Sequence, residues 1–421
     1  METEIKLTGA VLCALSENTS DDGLDASLDE LERLLDTAGG QCVARMVQYR
    51  DKPDVRTYFG KGKIEELADF IRKDGTVELV VFNNELSPSQ IANIGDEVGV
   101  RVIDRTMLIL DIFAKNAVTA EGKLQVEIAC LRYSAPRLVG HGKDMSRLGG
   151  GIGTRGPGES KLESDRRHLN RRIAALQAQL DELESNRTVQ HSARRKSNIK
   201  TAAIVGYTNA GKSTLLNYLT GAGILAEDKL FATLDPVVRT VKMPAGGEFL
   251  LVDTVGFISK LPHALVDAFH STLEEALLAD VLLIVSDGAS GEMIRQHDVV
   301  LEVLSSLGAA DKPMIDVINK ADLPGVTANE WPGAIAISAK KGEGLDALLE
   351  AIRLKLRGAA RPMHAVIPYA QGGLLAKIHA DGQVLGEEYT AEGIDVTALA
   401  DEQLFGRLAA QLGEQAVTWQ D

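Results

Sequence analysis

Residues 202–219 read AAIVGYTNAGKSTLLNYL. The first four are an apolar run suited to a buried strand, and STLLNYL carries helical periodicity. Between them, Gly206 to Ser213 match GxxxxGK[ST] in the strand–loop–helix context that this pattern requires. Successive backbone N–H groups and a helix N-terminus then converge on one point and make a cradle for phosphate oxygens. Gly206, Tyr207, Thr208, Asn209, Ala210, Gly211, Lys212, Ser213 and Thr214 are therefore candidate nucleotide-binding residues. Lys212 is expected to reach the β- and γ-phosphates of a nucleoside triphosphate, and the Ser213 hydroxyl to ligate Mg2+.

Downstream, the apolar FLLV (249–252) leads into Asp253-Thr254-Val255-Gly256, a DxxG sequence. Asp253 is expected to hold Mg2+ through water, and the Gly256 N–H to sense the γ-phosphate. FATLDP (231–236) lies between the two motifs and contributes Phe231 and Thr233. Thr233 is the first choice for a switch threonine on Mg2+, with Thr240 in reserve. Lys212, Thr233 and Gly256 form the expected catalytic set. Base identity is read from Asn319, Lys320 and Asp322, which follow MIDVI (314–318). This NKxD sequence resembles the guanine-recognition motif of translation-factor-class P-loop GTPases. A carboxylate at Asp322 accepts from guanine N1–H and N2–H2 together, whereas adenine would leave it unpaired at a cost of about 1–3 kcal/mol or more. Ser338, Ala339 and Lys340, after the strand-like AIAI, match the further base-contact segment. Directly after DxxG stands Phe257, where many signalling GTPases carry a water-orienting glutamine. Its side chain neither donates nor accepts a hydrogen bond, so intrinsic hydrolysis is expected to be slow and a partner to accelerate it.

The rest of the 421 residues divides around this unit. Residues 1–105 alternate strand-like and helix-like runs and predict a small, mostly parallel sheet with helices packed on it. Ser27 and Glu30 have capping-box spacing ahead of Leu28, Leu31, Leu34 and Leu35, and Ser87-Pro88 opens another helix. In 106–197, Leu124, Ile128, Leu131 and Leu138 mark one apolar seam, while Leu162, Leu169, Ile173, Leu176, Leu180 and Leu183 mark another. The second helix is expected from Lys161 to about Lys196, roughly 50 Å at 1.5 Å per residue. Two such helices joined by one loop predict an antiparallel hairpin. Residues 198–357 form the nucleotide unit. Residues 358–421 form a small tail, with two strands around Glu392-Gly393 and a helix from about Glu402.

The joining loop, 140–160, holds eight glycines and is long enough to be functional or disordered. Residues 132–200 contain fifteen Lys/Arg and seven Asp/Glu, a net of +8 in a chain whose total is −15. That balance excludes a wholly basic nucleic-acid coat but leaves a local cationic tip. Lys143, Arg147, Arg155, Lys161, Arg166 and Arg167 are its candidate RNA contacts, against the alternative that these cations solvate a coiled coil.

Beyond the nucleotide motifs, FGKGK (59–63), RVIDRT (101–106), GKLQVEIACLRY (122–133) and GGIGTRGPGESKLESDRR (150–167) resemble the HflX family of ribosome-associated GTPases across almost the whole chain. The resemblance implies an α/β fold: a P-loop GTPase domain with an N-terminal α/β domain, a long antiparallel helical hairpin and a small C-terminal α+β domain. It implies binding to the 50S ribosomal subunit and its 23S rRNA in the GTP form. Stalled or hibernating ribosomes are then split, with hydrolysis stimulated by the ribosome. The N-terminal domain and hairpin are implied to be the rRNA-binding parts. A GTP-switched assembly or anti-association factor is the alternative, and an ATP-driven RNA remodeller a third reading.

Other classes are disfavoured. Gly151 to Gly156 formally match GxGxxG, but no strand precedes them and Pro157 follows. Cys13, Cys42 and Cys130 form no CxxC pair, so neither a disulfide framework nor a zinc site is expected. METEIKL lacks a basic leader, and apolar runs such as 281–285 are far below the ~20 residues of a membrane span. A cytoplasmic monomer is expected. Asp316 stands in an otherwise apolar strand and needs a partner that the sequence does not name.

Overall fold

The computed structural model describes residues 8–16, 23–135, 166–183, 199–221, 230–231, 236–243, 248–259, 276–326, 331–356, 361–413 and 416–420. Its first sheet is wholly parallel, in the order β2-β1-β3-β4, from β1 (Thr8–Ser16), β2 (Gly40–Tyr49), β3 (Val77–Phe82) and β4 (Arg101–Asp104). Alternation along β1 drives Ala10, Leu12 and Ala14 to one face and Val11, Cys13 and Leu15 to the other. Helices cover both faces. On the first lie α1 (Gly23–Ala38) and α4 (Arg105–Asn116); on the second lie α2 (Lys61–Asp74) and α3 (Pro88–Val98). Burying leucines such as Leu28, Leu31 and Leu34 of α1 stabilises this layer by about 1.5–3 kcal/mol each, as an upper estimate.

Two capping expectations had different outcomes. Ser87 caps α3 with a full capping box to Gln90, and Pro88 sits in the first turn. Ser27 does not cap α1. The helix begins at Gly23, and the buried Ser27 hydroxyl accepts instead from Asn83 Nδ2 at 2.9 Å. A tertiary donor has claimed the group that the local pattern assigned to the helix end.

After α5 (Ala120–Ser134), the next described element is helix α6, 166–183. The expected seams meet here: Ile128, Leu176 and Leu180 are buried together, with Leu124, Leu131 and Ile173 against them. Arg172 pairs with Glu127 at 2.9 Å across the contact. The loop 140–160 and the expected helix start at Lys161 lie outside the described residues.

The second sheet runs β10-β9-β8-β5-β7-β6, parallel except for β6. Its strands are β5 (Thr201–Gly206), β6 (Val237–Lys242), β7 (Glu248–Asp253), β8 (Val281–Asp287), β9 (Met314–Asn319) and β10 (Ile335–Ala336). Helices α7 (Lys212–Thr220), α8 (Met293–Ser306) and α9 (Leu345–Leu356) pack on it. Asp316 of β9 has its partner: Oδ1 lies 3.0 Å from Nε2 of buried His297 on α8. Finally, β11 (Arg361–Ile367), α10 (Gly373–Asp381), β12 (Gln383–Tyr389), β13 (Ile394–Ala400), α11 (Glu402–Leu412) and β14 (Val417–Trp419) form an antiparallel sheet with both helices on one face. The expected strands flank residues 390–393, and Asp401 caps α11 through the Leu404 N–H at 2.6 Å.

Candidate functional site

The phosphate loop is shaped by backbone that tolerates no side chain at two points. Gly206 has φ 155°, and a Cβ there would lie 2.2 Å from the Val285 carbonyl oxygen. Gly211 has φ 92°, and a Cβ would lie 2.2 Å from Asn319 Nδ2. With both as glycine, β5 turns directly into α7, whose first-turn N–H groups face the loop. Lys212 is buried at the start of α7, and Nζ donates to the carbonyls of Gly206 (3.1 Å) and Tyr207 (2.7 Å). Burial lowers its pKa to about 8, with the Asp253 charge acting the other way.

Asp253 ends β7 fully buried. Its Oδ2 accepts from the Ser213 hydroxyl at 2.6 Å, while Oδ1 is buried without a protein partner. Burial raises the carboxyl pKa, opposed by Lys212 and the Ser213 hydrogen bond. An orphaned carboxylate oxygen beside a serine hydroxyl is a hard oxygen set that suits Mg2+. Thr208 Oγ1 is likewise buried and without a partner. Thr233, the expected third metal group, lies outside the described residues. Its reserve, Thr240, is exposed in mid-strand on β6 opposite Leu250 and belongs to the ladder. The inward position there is Val241.

The loops that carry Asn319 and Ala339 are tied to the phosphate loop through one buried amide. Asn319 Nδ2 donates to the Ala210 carbonyl at 2.8 Å, and its Oδ1 accepts from the Ala339 N–H at 3.0 Å. Asp322 Oδ1 accepts from the Ser338 hydroxyl at 2.8 Å, and this bond leads the causes that hold its carboxyl below the usual range. Lys320, with φ 64°, pairs with Asp287 at 2.7 Å, while Lys340 is exposed. The structure thus brings the three motifs together at the C-terminal ends of β5, β7 and β9, where a sheet of this class receives its ligand.

The segment after DxxG is zipped onto the phosphate loop. The Phe257 N–H donates to the Gly206 carbonyl at 3.0 Å, and its carbonyl accepts from the Thr208 N–H at 2.8 Å. A Cβ on Gly256 would lie 2.8 Å from both Lys212 Nζ and Thr208 Cα. The Phe257 ring is only 2% exposed and serves the core.

The sequence reading missed a second layer. The Tyr207 hydroxyl donates to Glu30 of α1, accepts from the Ser259 N–H at 2.6 Å and lies 2.7 Å from Ser259 Oγ. Arg105, 3% exposed at the start of α4, binds Glu30, the Ser259 carbonyl (3.2 Å) and Asn83 Oδ1 (3.1 Å). Burial and the Glu30 carboxylate raise the Tyr207 pKa. The only sequence signals were Arg105 within RVIDRT and a tyrosine inside the phosphate loop. Phe231 packs against α4. Its buried ring meets Phe113 of α4 edge-on at 4.6 Å, and its carbonyl accepts from Asn116 Nδ2 at 2.9 Å. A cavity of about 320 Å3 lies between these units, lined by Glu30, Arg33, Thr208, Asn209, Ser259 and Arg295 among others. Among the expected RNA contacts, Arg166 and Arg167 are exposed on α6; Lys143, Arg147, Arg155 and Lys161 lie outside the described residues.

A phosphate cradle, a DxxG acid and an NKxD loop on one doubly wound sheet define a P-loop GTPase. Residues 25–114 match the family model described as GTP-binding GTPase N-terminal, 116–194 the GTP-binding GTPase middle region, and 201–320 the 50S ribosome-binding GTPase. GTPase HflX of Lacrimispora saccharolytica is 50% identical over 404 residues, 95% of each chain. The chain belongs to the HflX family of GTPases, and its reaction is the hydrolysis of GTP. GTPase HflX of Escherichia coli is 41% identical over 359 residues, 84% of each chain. Among solved structures, a GTP-binding protein of Sulfolobus solfataricus in complex with GDP is 26% identical, with a TM-score of 0.44, covering 83% of this chain and 99% of that one. Among the described residues, no helix is long and apolar enough to cross a membrane.

Proposed function

We propose that this chain binds the large ribosomal subunit in its GTP form and dissociates stalled or hibernating ribosomes, hydrolysis then resetting it. The observation that carries this is the Tyr207–Glu30–Arg105–Ser259 network, which fastens the segment after DxxG to the N-terminal sheet unit. A change at the γ-phosphate position is thereby connected to the part of the molecule from which the basic 132–200 stretch extends. Lys143, Arg147, Arg155, Lys161, Arg166 and Arg167 are the proposed contacts to 23S rRNA, through phosphates. Asp322, Asn319, Ser338 and Ala339 read guanine. Mg2+ would be held by Ser213 and Thr233, with Asp253 through water, and would neutralise charge on the β- and γ-phosphate oxygens. Lys212 and the Gly256 N–H stabilise the transferring group, and Phe257 leaves the water for a ribosomal or switch group to orient.

Two measurements test this. The chain should sediment with 50S subunits in the presence of a non-hydrolysable GTP analogue and release with GDP. GTP turnover should rise at least tenfold on adding purified 50S. Equal co-sedimentation in both nucleotide states would refute the proposal.

A further inference from the structure

The last sheet unit has the order β11-α10-β12-β13-α11-β14 in chain and β12-β13-β11-β14 in space, the split βαβ plan. When such a unit binds RNA, aromatic side chains on the open face of its two central strands stack on bases. Here β11 and β13 turn Met363, Ala365, Val396 and Ala398 toward the helices. Their open face carries His364, Val366, Asp395 and Thr397, with no Phe, Tyr or Trp. His364 is tied to the Asp395 carboxylate at 2.7 Å. Residues 361–421 contain three Lys/Arg and nine Asp/Glu, the opposite sign to the 132–200 stretch. A phosphate backbone is repelled by such a surface, and a basic protein is attracted.

Among the described residues, β12 is an open edge of this sheet, the three-residue β14 being the other. Every residue of β12 except Val384 is exposed, Leu385 at 54% and Tyr389 at 64%. Leu385 stands outside the ladder, because the register passes from Val384 to Gly386 across a bulge. Tyr369, itself 55% exposed, lies alongside and donates to the Thr390 carbonyl at 2.6 Å. Tyr389 Oη donates to Glu387 Oε1 at 2.8 Å, and His379 Nε2 sits 3.1 Å from Oε2. These two partners hold the Glu387 carboxyl below its usual range, so it stays charged near neutrality.

We propose that β12 is a docking edge for an extended Lys/Arg-rich protein segment, which joins the sheet as a fifth strand. The backbone groups that β12 turns away from β13, without a strand partner among the described residues, supply the ladder. Glu387 and Glu388 point to opposite faces and meet cations on adjacent residues of the incoming strand, while Leu385, Tyr369 and Tyr389 supply apolar contact. A second copy of this chain is a poor occupant, because β12 against β12 sets glutamates against glutamates. The source of the strand, a basic protein of the large ribosomal subunit, rests on the function proposed above.

The test places a photo-reactive p-benzoylphenylalanine at Leu385 of the full chain, bound to purified 50S subunits with a GTP analogue. A crosslink to a ribosomal protein is expected. Glu387→Lys with Glu388→Lys should weaken 50S binding about tenfold at low salt, with ribosome-free GTP turnover unchanged within about twofold. A chain that sediments with 50S but crosslinks to rRNA, to another copy or to nothing overturns the docking edge alone. Charge reversal without loss of affinity does the same. A chain that does not sediment with 50S overturns the ribosome reading, and the docking edge with it.

Discussion

Replacing Tyr207 by phenylalanine removes one hydroxyl from the junction between the phosphate loop and α1. That hydroxyl donates to the Glu30 carboxylate and accepts the Ser259 N–H at 2.6 Å. A hydrogen bond to a charged group contributes about 1.5–3 kcal/mol, and Glu30 keeps Arg105 as its second partner, so the net loss is about 2 kcal/mol. The segment held by this bond includes Phe257, whose backbone is zipped to Gly206 and Thr208. Gly256 lies beside Lys212, a Cβ there meeting Nζ at 2.8 Å, so peeling of this segment from the phosphate loop changes what surrounds the lysine ammonium. If peeling limits basal turnover, a loss of about 2 kcal/mol speeds it roughly thirtyfold. The assay is single-turnover GTP hydrolysis without ribosomes, for the wild type, Tyr207→Phe, Glu30→Gln and the double variant. Thermal unfolding of the same four closes a double-mutant cycle. Coupling of at least about 1 kcal/mol between positions 30 and 207 is expected. Coupling near zero together with unchanged turnover would refute the reasoning.

Three further outcomes follow from the site. Asp322→Asn should cut the preference for GTP over xanthosine triphosphate by about a hundredfold, because an amide offers an N–H to the xanthine 2-carbonyl where the carboxylate accepted from the guanine amine; competition binding reads it. Buried Lys212, with its pKa lowered to about 8, must carry a proton to pair with phosphate. Nucleotide affinity should therefore hold below about pH 7 and fall toward tenfold per unit above pH 8, in titrations with fluorescent GDP; a flat profile to about pH 9 contradicts this. Gly211→Ala drives a methyl to within 2.2 Å of Asn319 Nδ2 at φ 92°, and should abolish measurable GDP binding while the far-ultraviolet circular dichroism stays unchanged.

How much of this was legible in the sequence depended on distance along the chain. The phosphate loop, DxxG and NKxD were readable because each is a contiguous chemical unit in which residue type and spacing are the geometry. The apolar seams of α5 and α6 were readable for the same reason, since the period of the leucines is the packing face. Glu30 was not. Its spacing from Ser27 satisfies the capping rule, yet both side chains serve partners 56 to 177 residues away. Asp316 could not be paired for the same reason: an acid in an apolar strand announces a need for a partner, and only packing of α8 on β9 identifies His297. In the C-terminal unit the hairpin around Glu392-Gly393 was local and visible. The three-residue β14 takes its strand identity from pairing with β11, and so short an edge leaves little periodic signal.

The chemistry of the junction also bears on how the nucleotide could control it. An apolar contact alone, of the Phe113–Phe231 kind, loses free energy in proportion to the area uncovered and would yield by degrees. A buried ion pair behaves otherwise. Compared with apolar residues of equal size, Arg105–Glu30 adds little net stability, but separating one partner strands a charge at about 3–5 kcal/mol. Tyr207 and Ser259 share that penalty, because both bind members of the pair. Arg105 Nε is already buried without a partner, so further loss finds no substitute within the site. Partial withdrawal of the 257–259 segment is therefore the worst arrangement, and the junction is either closed with its polar groups matched or open to water. That all-or-none character is what a two-state element needs if a single γ-phosphate is to bias it.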